Sequence, residues 1–312
     1  VAAAIAAEET DMTLPKHTLV LALTMLLGTA TAFSTAAQQN HANADDAAAA
    51  LVSALESKPA NADQLARLLG SDWQDYIPIG GIDRDDVEAF LKGYREKHSI
   101  KTEGDVAHLV VGNGDWVFPI PLKQSAGGWA FDPKAGNEEI NDRRIGANEL
   151  ATIQSIMAYH DAQMEYAESD RDNDGSLEYA QKVMSTDGLH DGLFWADDDS
   201  GEISPLGPLF ATVKPDDEWH GYRYRILTSQ GSSAPGGAYD YMIGGNMSRG
   251  FAAIAWPADY GKSGVKTFMI SQDGEVFEKD LGKNGNNVAA TMKVFDPDSS
   301  WDEVTGDALT QQ

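Results

Sequence analysis

Apolar positions along the chain change period twice, and each change predicts a class of element. In the first third, residues 45–57 are rich in Ala and Leu with acids at the start, which suits a helix N-terminus. A second short helix is predicted over 62–69, stopping at Gly70. Val87, Phe90, Leu91 and Tyr94 recur at i, i+3, i+4 and i+7 behind a capping Asp83, the signature of an amphipathic helix. The period then shortens, and strands are predicted over 107–111, 116–122 and 129–132. Pro119 and Pro121 flank Ile120 and put that strand at a sheet edge. Ser125-Ala126-Gly127-Gly128 supplies the hairpin turn before Trp129.

These elements make a small α+β module of residues 43–135 with a curled antiparallel sheet. The polar stretch 136–147 reads as a joint, and a long helix follows over 148–169. Leu150, Ile153, Met157, His160, Met164 and Ala167 draw one stripe along it. Alternation returns at Tyr222, Tyr224 and Ile226, with further strands over 239–243, 251–256 and 266–270. Asp273-Gly274 between two apolar runs is a strong hairpin signal. The expected fold class is α+β: helices with a curled sheet, then a module of residues 148–301 in which the long helix packs on an antiparallel meander. Residues 302–312 are acidic and polar and are expected to fray.

The N-terminus alters the picture of compartment. From Met12, Lys16 and His17 precede an apolar run over 19–27, and small residues continue to Ala37. Ala30-Thr31-Ala32 and Thr35-Ala36-Ala37 are candidate cleavage sites, and the acidic residues before Met12 are read as a start-site artefact. Residues 1–37 are therefore expected to be that artefact plus a signal peptide, the rival being an uncleaved anchor. The apolar run is short of the roughly 20 residues that span a bilayer, so no stable membrane insertion is expected after cleavage. The protein is predicted to be periplasmic or secreted in a bacterium.

Charge narrows the partners. The 312 residues hold 49 Asp and Glu against 23 Lys and Arg, a formal net charge of −26. Such a chain repels phosphate backbones, so no nucleic-acid partner is expected. Cysteine is absent, which excludes disulfides, thiolate metal sites and thiol nucleophiles.

The best local constellation is the stretch from Asp170 to Gln181. Asp170, Asp172 and Asp174 stand at positions 1, 3 and 5 of a calcium-loop pattern, Gly175 at 6, Ser176 at 7, Leu177 at 8 and Glu178 at 9. Gln181 at position 12 lacks the bidentate carboxylate, which weakens expected affinity to about 0.1–1 mM. The other reading is a solvated acidic turn ending the long helix. The run Asp197-Asp198-Asp199-Ser200-Gly201-Glu202 has its glycine at the wrong offset and reads as a solvated loop. His190, Asp191, His220 and Asp240 would supply an acid/base pair if their loops share one end of the sheet. No serine-hydrolase elbow, phosphate loop or zinc-histidine spacing is present.

Several phrases resemble one uncharacterised bacterial exported family, the domain-of-unknown-function family 2950. They are the stretch from Asp115 to Leu122, Arg143-Arg144-Ile145-Gly146, the stretch from Pro235 to Tyr241, that from Ala255 to Gly261, and that from Gln272 to Gly282. This resemblance implies no activity. The stretch from Asn148 to Ile153, Asp161-Ala162-Gln163 and Tyr166-Ala167 is similar to the helix of type IV pilin and pseudopilin heads. Gly221-Tyr222, the stretch from Pro257 to Gly264, Phe268 and Asp273-Gly274 follow in the order of those heads, which implies a head-like fold without the polymerising stem. The first module is also similar in pattern to the cone-shaped nuclear-transport-factor-like fold.

Together these features favour a non-enzymatic envelope protein that binds or assembles with an envelope protein or surface polymer, calcium stiffening one loop. The alternative is a hydrolase of envelope glycan or peptide using the His/Asp pair. Oligomeric state is left open.

Overall fold

The computed structural model describes residues 38–76, 84–171, 174–196, 201–207 and 218–309. The export segment and Asp83 lie outside them. Described residues up to Arg143 form one compact unit, and those from Arg144 onward form another.

In the first unit, helices begin where side chains cap them. Asn43 accepts the Asp46 amide and opens α1 (Ala44–Glu56), whose Asp45 and Asp46 sit in the electropositive first turn. Asn61 accepts the Gln64 amide at the start of α2 (Ala62–Leu69), and Gly70 at φ 95° closes it. After α3 (Trp73–Tyr76) comes α4 (Arg84–Glu96). Leu51, Leu65 and Phe90 from these helices share one core with Leu109 and Leu122 from the strands and Phe118 from the connection between two of them.

On α4, Glu88 contacts Lys58 at 2.8 Å and Arg84 at 2.7 Å. Hydrogen bonds from Lys58 and then Arg84 hold its carboxyl at about 2, well below the carboxylate range. The folded value lies beneath the unfolded one, so this stabilisation is fully present above about pH 4.3 and fades as pH falls toward the folded value. An NMR titration of Glu88 is expected to give a midpoint near about 2, and Lys58→Met is expected to raise it. A midpoint unchanged in the variant would show that Lys58 is not the cause.

The strands of this unit are β1 (His98–Glu103), β2 (Val106–Val111), β3 (Trp116–Val117), β4 (Leu122–Ser125) and β5 (Gly128–Phe131). The sheet runs β1-β2-β4-β5, with β3 also on β2 and the outermost strands unpaired with each other. It is open and neither closed nor strongly curled, which corrects the expected curled sheet and the cone-shaped analogy. The β1–β2 ladder pairs all six positions in unbroken register, so it contains no bulge to bend it. The strand expected over 116–122 is two short ones. Pro119 and Pro121 lack an amide proton, and the chain leaves the ladder between them.

Residues 38–41 line the outer side of β5. His41 and Trp129 exchange both backbone hydrogen bonds at 2.8 Å, and Gln38 Nε2 donates to the carbonyls of Leu68 and Phe131. Gly128 permits this approach: its φ is 113°, and a Cβ there would stand 2.3 Å from the His41 oxygen.

Helix α5 (Pro133–Tyr166) passes through the boundary at Arg143. Asp132 caps it by accepting the Ala135 amide at 3.0 Å, and proline takes the first helical position. The stretch 136–147, expected as a joint, is therefore helical, supported by a Glu139–Arg143 pair at 2.7 Å one turn apart. The helix ends at Tyr166, and its buried stripe is Ile153, Ile156, Tyr159, Ala162, Gln163 and Tyr166. This corrects the predicted stripe, because Met164 points outward and Gln163 is buried.

The larger sheet of the second unit contains β6 (Tyr222–Leu227), β11 (Ala252–Pro257), β12 (Lys266–Ser271), β13 (Val276–Asp280) and β15 (Asp302–Glu303). Its order is β15-β13-β12-β11-β6, antiparallel throughout. Between β6 and β11 lie β7 (Ser229–Gln230), β8 (Tyr239–Asp240), β9 (Met242–Ile243) and β10 (Asn246–Met247). After β13 come α6 (Gly285–Thr291) and β14 (Val294–Phe295), and β14 pairs parallel to β7. The chain is thus a mixed α+β fold with several open sheets, not a simple meander. The pilin-head-like architecture is corrected with it, since the β6-to-β11 connection and the parallel pair interrupt the expected order. Ile153, Ile156 and Tyr159 of α5 share a core with Ile254 and Phe268 of the sheet. No described helix is long and apolar enough to cross a membrane.

Candidate functional site

The C-terminal turn of α5 organises the irregular segment that follows it. Gln163 is fully buried and pairs its amide with the backbone of Ala180: Nε2 donates to the carbonyl at 2.8 Å, and Oε1 accepts the amide at 2.8 Å. The side chain thereby pairs with Ala180 as a strand partner would, beside the backbone bridge from Tyr179 to Met247. Its Nε2 also donates to Tyr159 Oη at 3.0 Å. Burial pushes the Tyr159 hydroxyl above its usual pKa, so it stays neutral and available as acceptor.

One helical turn on, Tyr166 Oη donates to the carbonyl of His190 at 3.0 Å. Arg171 Nε donates back to the Tyr166 carbonyl, and its guanidinium lies 5.1 Å from the rings of both Tyr166 and Trp195. Glu202 joins the group. Its Oε2 stands 3.0 Å from Arg171 Nη1 and 3.1 Å from His190 Nδ1. The His190 imidazole stacks on Trp195 at 4.2 Å, and Trp195 Nε1 donates to the Glu202 carbonyl. A carboxylate at Nδ1 favours the tautomer that carries a proton there.

This grouping departs from the expected pairing of His190 with Asp191, His220 or Asp240. Asp191 turns to Lys182 at 2.6 Å and accepts from the Thr186 amide and hydroxyl. Partial burial works to raise its pKa, and the hydrogen bonds from Lys182 and Thr186 outweigh that and lower it. Asp240 accepts the Met242 amide beside it. His220 sits at φ 51° with its ring edge-on to Trp219. Sequence reasoning passed over Arg171, Trp195 and Glu202. Glu202 lay within the run read as a solvated loop, and the others stand at no diagnostic spacing.

Of the expected calcium ligands, Asp172 lies outside the described residues. Asp170 Oδ2 accepts the Gly175 amide at 2.9 Å, while its Oδ1 is shielded from solvent without a hydrogen-bond partner among them. Hydrogen bonds from Asn246 and then Ser176 lower the pKa of Asp174. Gln181 Nε2 donates to the Gly245 carbonyl at 2.7 Å. Among the described residues, no three His, Asp or Glu side chains converge as a metal cluster.

Large apolar side chains are exposed around these loops. Leu189 and Ile203 adjoin the His190–Glu202 contact and are 53% and 81% exposed. Leu177 follows Asp174, which bonds Asn246, and Ile243 pairs with Asn246 across the β9–β10 hairpin. Both are 57% exposed.

With this geometry in view, residues 38–304 match the family described as proteins of unknown function, DUF2950, and the chain belongs to it. No curated protein matches the chain, and no solved structure does, so the expected likeness to pilin and pseudopilin heads has no support.

Proposed function

We propose that this protein is an exported, non-enzymatic bacterial envelope protein whose partner, an envelope protein or surface polymer, docks on the loops gathered at the end of α5. The carrying observation is Ile203, 81% exposed beside Glu202, whose contacts with Arg171, His190 and Trp195 hold that backbone. Apolar side chains held out on a fixed backbone favour a partner that covers them. The export pattern before residue 38 supports an envelope location. Pull-downs from envelope extract with the protein and with its Leu189→Ser/Ile203→Ser variant test this. A reproducible partner retained only by the unaltered surface is expected, and equal recovery by both overturns the reading.

Calcium belongs to the same proposal, held by Asp170, Asp172, Asp174, Ser176, Glu178 and Gln181. The shielded Asp170 Oδ1 is an oxygen of the kind a hard cation takes. At about tenfold excess over its dissociation constant, calcium would add about 1.4 kcal/mol of stability. Melting in millimolar calcium and in chelator is expected to differ by a few degrees. Coincident midpoints would remove the loop from the proposal.

A second reading, hydrolysis of an envelope glycan or peptide, draws on the carboxylate at His190 Nδ1, which would orient the ring as a base. Turnover of such a polymer, lost in His190→Ala, would favour it over binding.

A further inference from the structure

We propose that the surface around Leu189 and Ile203, with the exposed acids Asp161, Glu165, Glu168 and Asp187, receives a cationic, amphipathic protein segment. This rests on the binding reading above and names the chemistry of its partner. The described residues between 161 and 202 hold nine Asp and Glu against two Lys and Arg, a strongly negative balance. The two bases are already engaged by carboxylates of the segment itself, Arg171 by Glu202 at 3.0 Å and Lys182 by Asp191 at 2.6 Å. Asp161, Glu165, Glu168 and Asp187 stand exposed.

Charge alone would attract any cation, but the apolar side chains narrow the occupant. Leu189 and Ile203 each adjoin one partner of the His190–Glu202 contact, so their backbones are held close together. Met164 is exposed on the α5 turn that carries Gln163 and Tyr166. A ligand that satisfies both features presents Lys or Arg beside Leu, Ile or Phe. Nucleic acid and anionic lipid headgroups are repelled by the same field.

The test uses the full chain and a 20-residue amphipathic helical peptide of Leu and Lys. A Leu/Glu peptide of the same pattern and a Ser/Lys peptide of the same charge are the comparisons. Saturable binding of the Leu/Lys peptide alone is expected. It should weaken at least about tenfold in Leu189→Ser/Ile203→Ser, since burial of each side chain supports about that factor. It should also weaken several-fold in Glu165→Gln/Asp187→Asn, and steeply with added salt. Thermal melts verify that both variants fold.

Equal binding of the Ser/Lys peptide, or undiminished binding by the apolar variant, overturns the proposal. Failure of the Leu/Lys peptide, with an envelope partner still retained through Leu189 and Ile203, overturns the cationic partner and leaves the binding reading standing. A partner retained equally without those side chains overturns the binding reading itself.

Discussion

Gln163→Leu is expected to lower the stability of the second unit by about 2–5 kcal/mol. Leucine is close to glutamine in size and opens no large cavity, so the effect isolates hydrogen bonding. The Gln163 amide satisfies both the N–H and the C=O of Ala180, a residue only 1% exposed. Removing it strands two buried backbone groups, each costing about 1–3 kcal/mol. Water reaching Ala180 would moderate the loss, which sets the lower bound. Gln163→Glu should do no better, because it loses the donor and places a carboxylate in a fully buried position. Urea unfolding gives the magnitude, and amide exchange at Ala180 gives the location. Unchanged protection at Ala180 would refute the role assigned to this side chain.

The second large effect is expected at Trp195. It is 6% exposed, stacks on His190, faces the Arg171 guanidinium and donates to the Glu202 carbonyl. Trp195→Ala removes all three supports together with the buried ring, a change worth about 3–5 kcal/mol. Residues 186–196 and 201–207 should then become readily cleaved in limited proteolysis. Trp195→Phe keeps a ring beneath His190 and loses only the indole hydrogen bond, so it should retain most of the stability. Alanine and phenylalanine variants with the same unfolding midpoint would show that the ring does not organise these loops.

Much of the fold was legible where one face of an element is buried. The acids opening the first helix, the stop at Gly70, the alternation at Tyr222 to Ile226 and the Asp273-Gly274 turn each act through neighbours in sequence. Strand β1 escaped notice because five of its six positions are exposed and carry no pattern. The first turns of α5 escaped for a related reason. Between Asn137 and Arg143 only Ile140 is deeply buried, and the supporting Glu139–Arg143 pair resembles ordinary surface charge. The stripe on α5 was misplaced because Gln163 counts as polar in a sequence, although Ala180 makes it a core residue. The candidate site was least legible. Arg171, His190, Trp195 and Glu202 come from successive turns of an irregular segment, and their meeting depends on long-range packing that no spacing rule encodes.

The short arm at residues 38–41 has a consequence for handling the molecule. Because His41 supplies the outer pairing to Trp129, a version trimmed to begin at Asn43 would leave Trp129 of β5 with a free amide and carbonyl on its rim. Neighbouring molecules would then find a ready template for intermolecular pairing, and shortened preparations would tend toward self-association even with every helix and core residue retained.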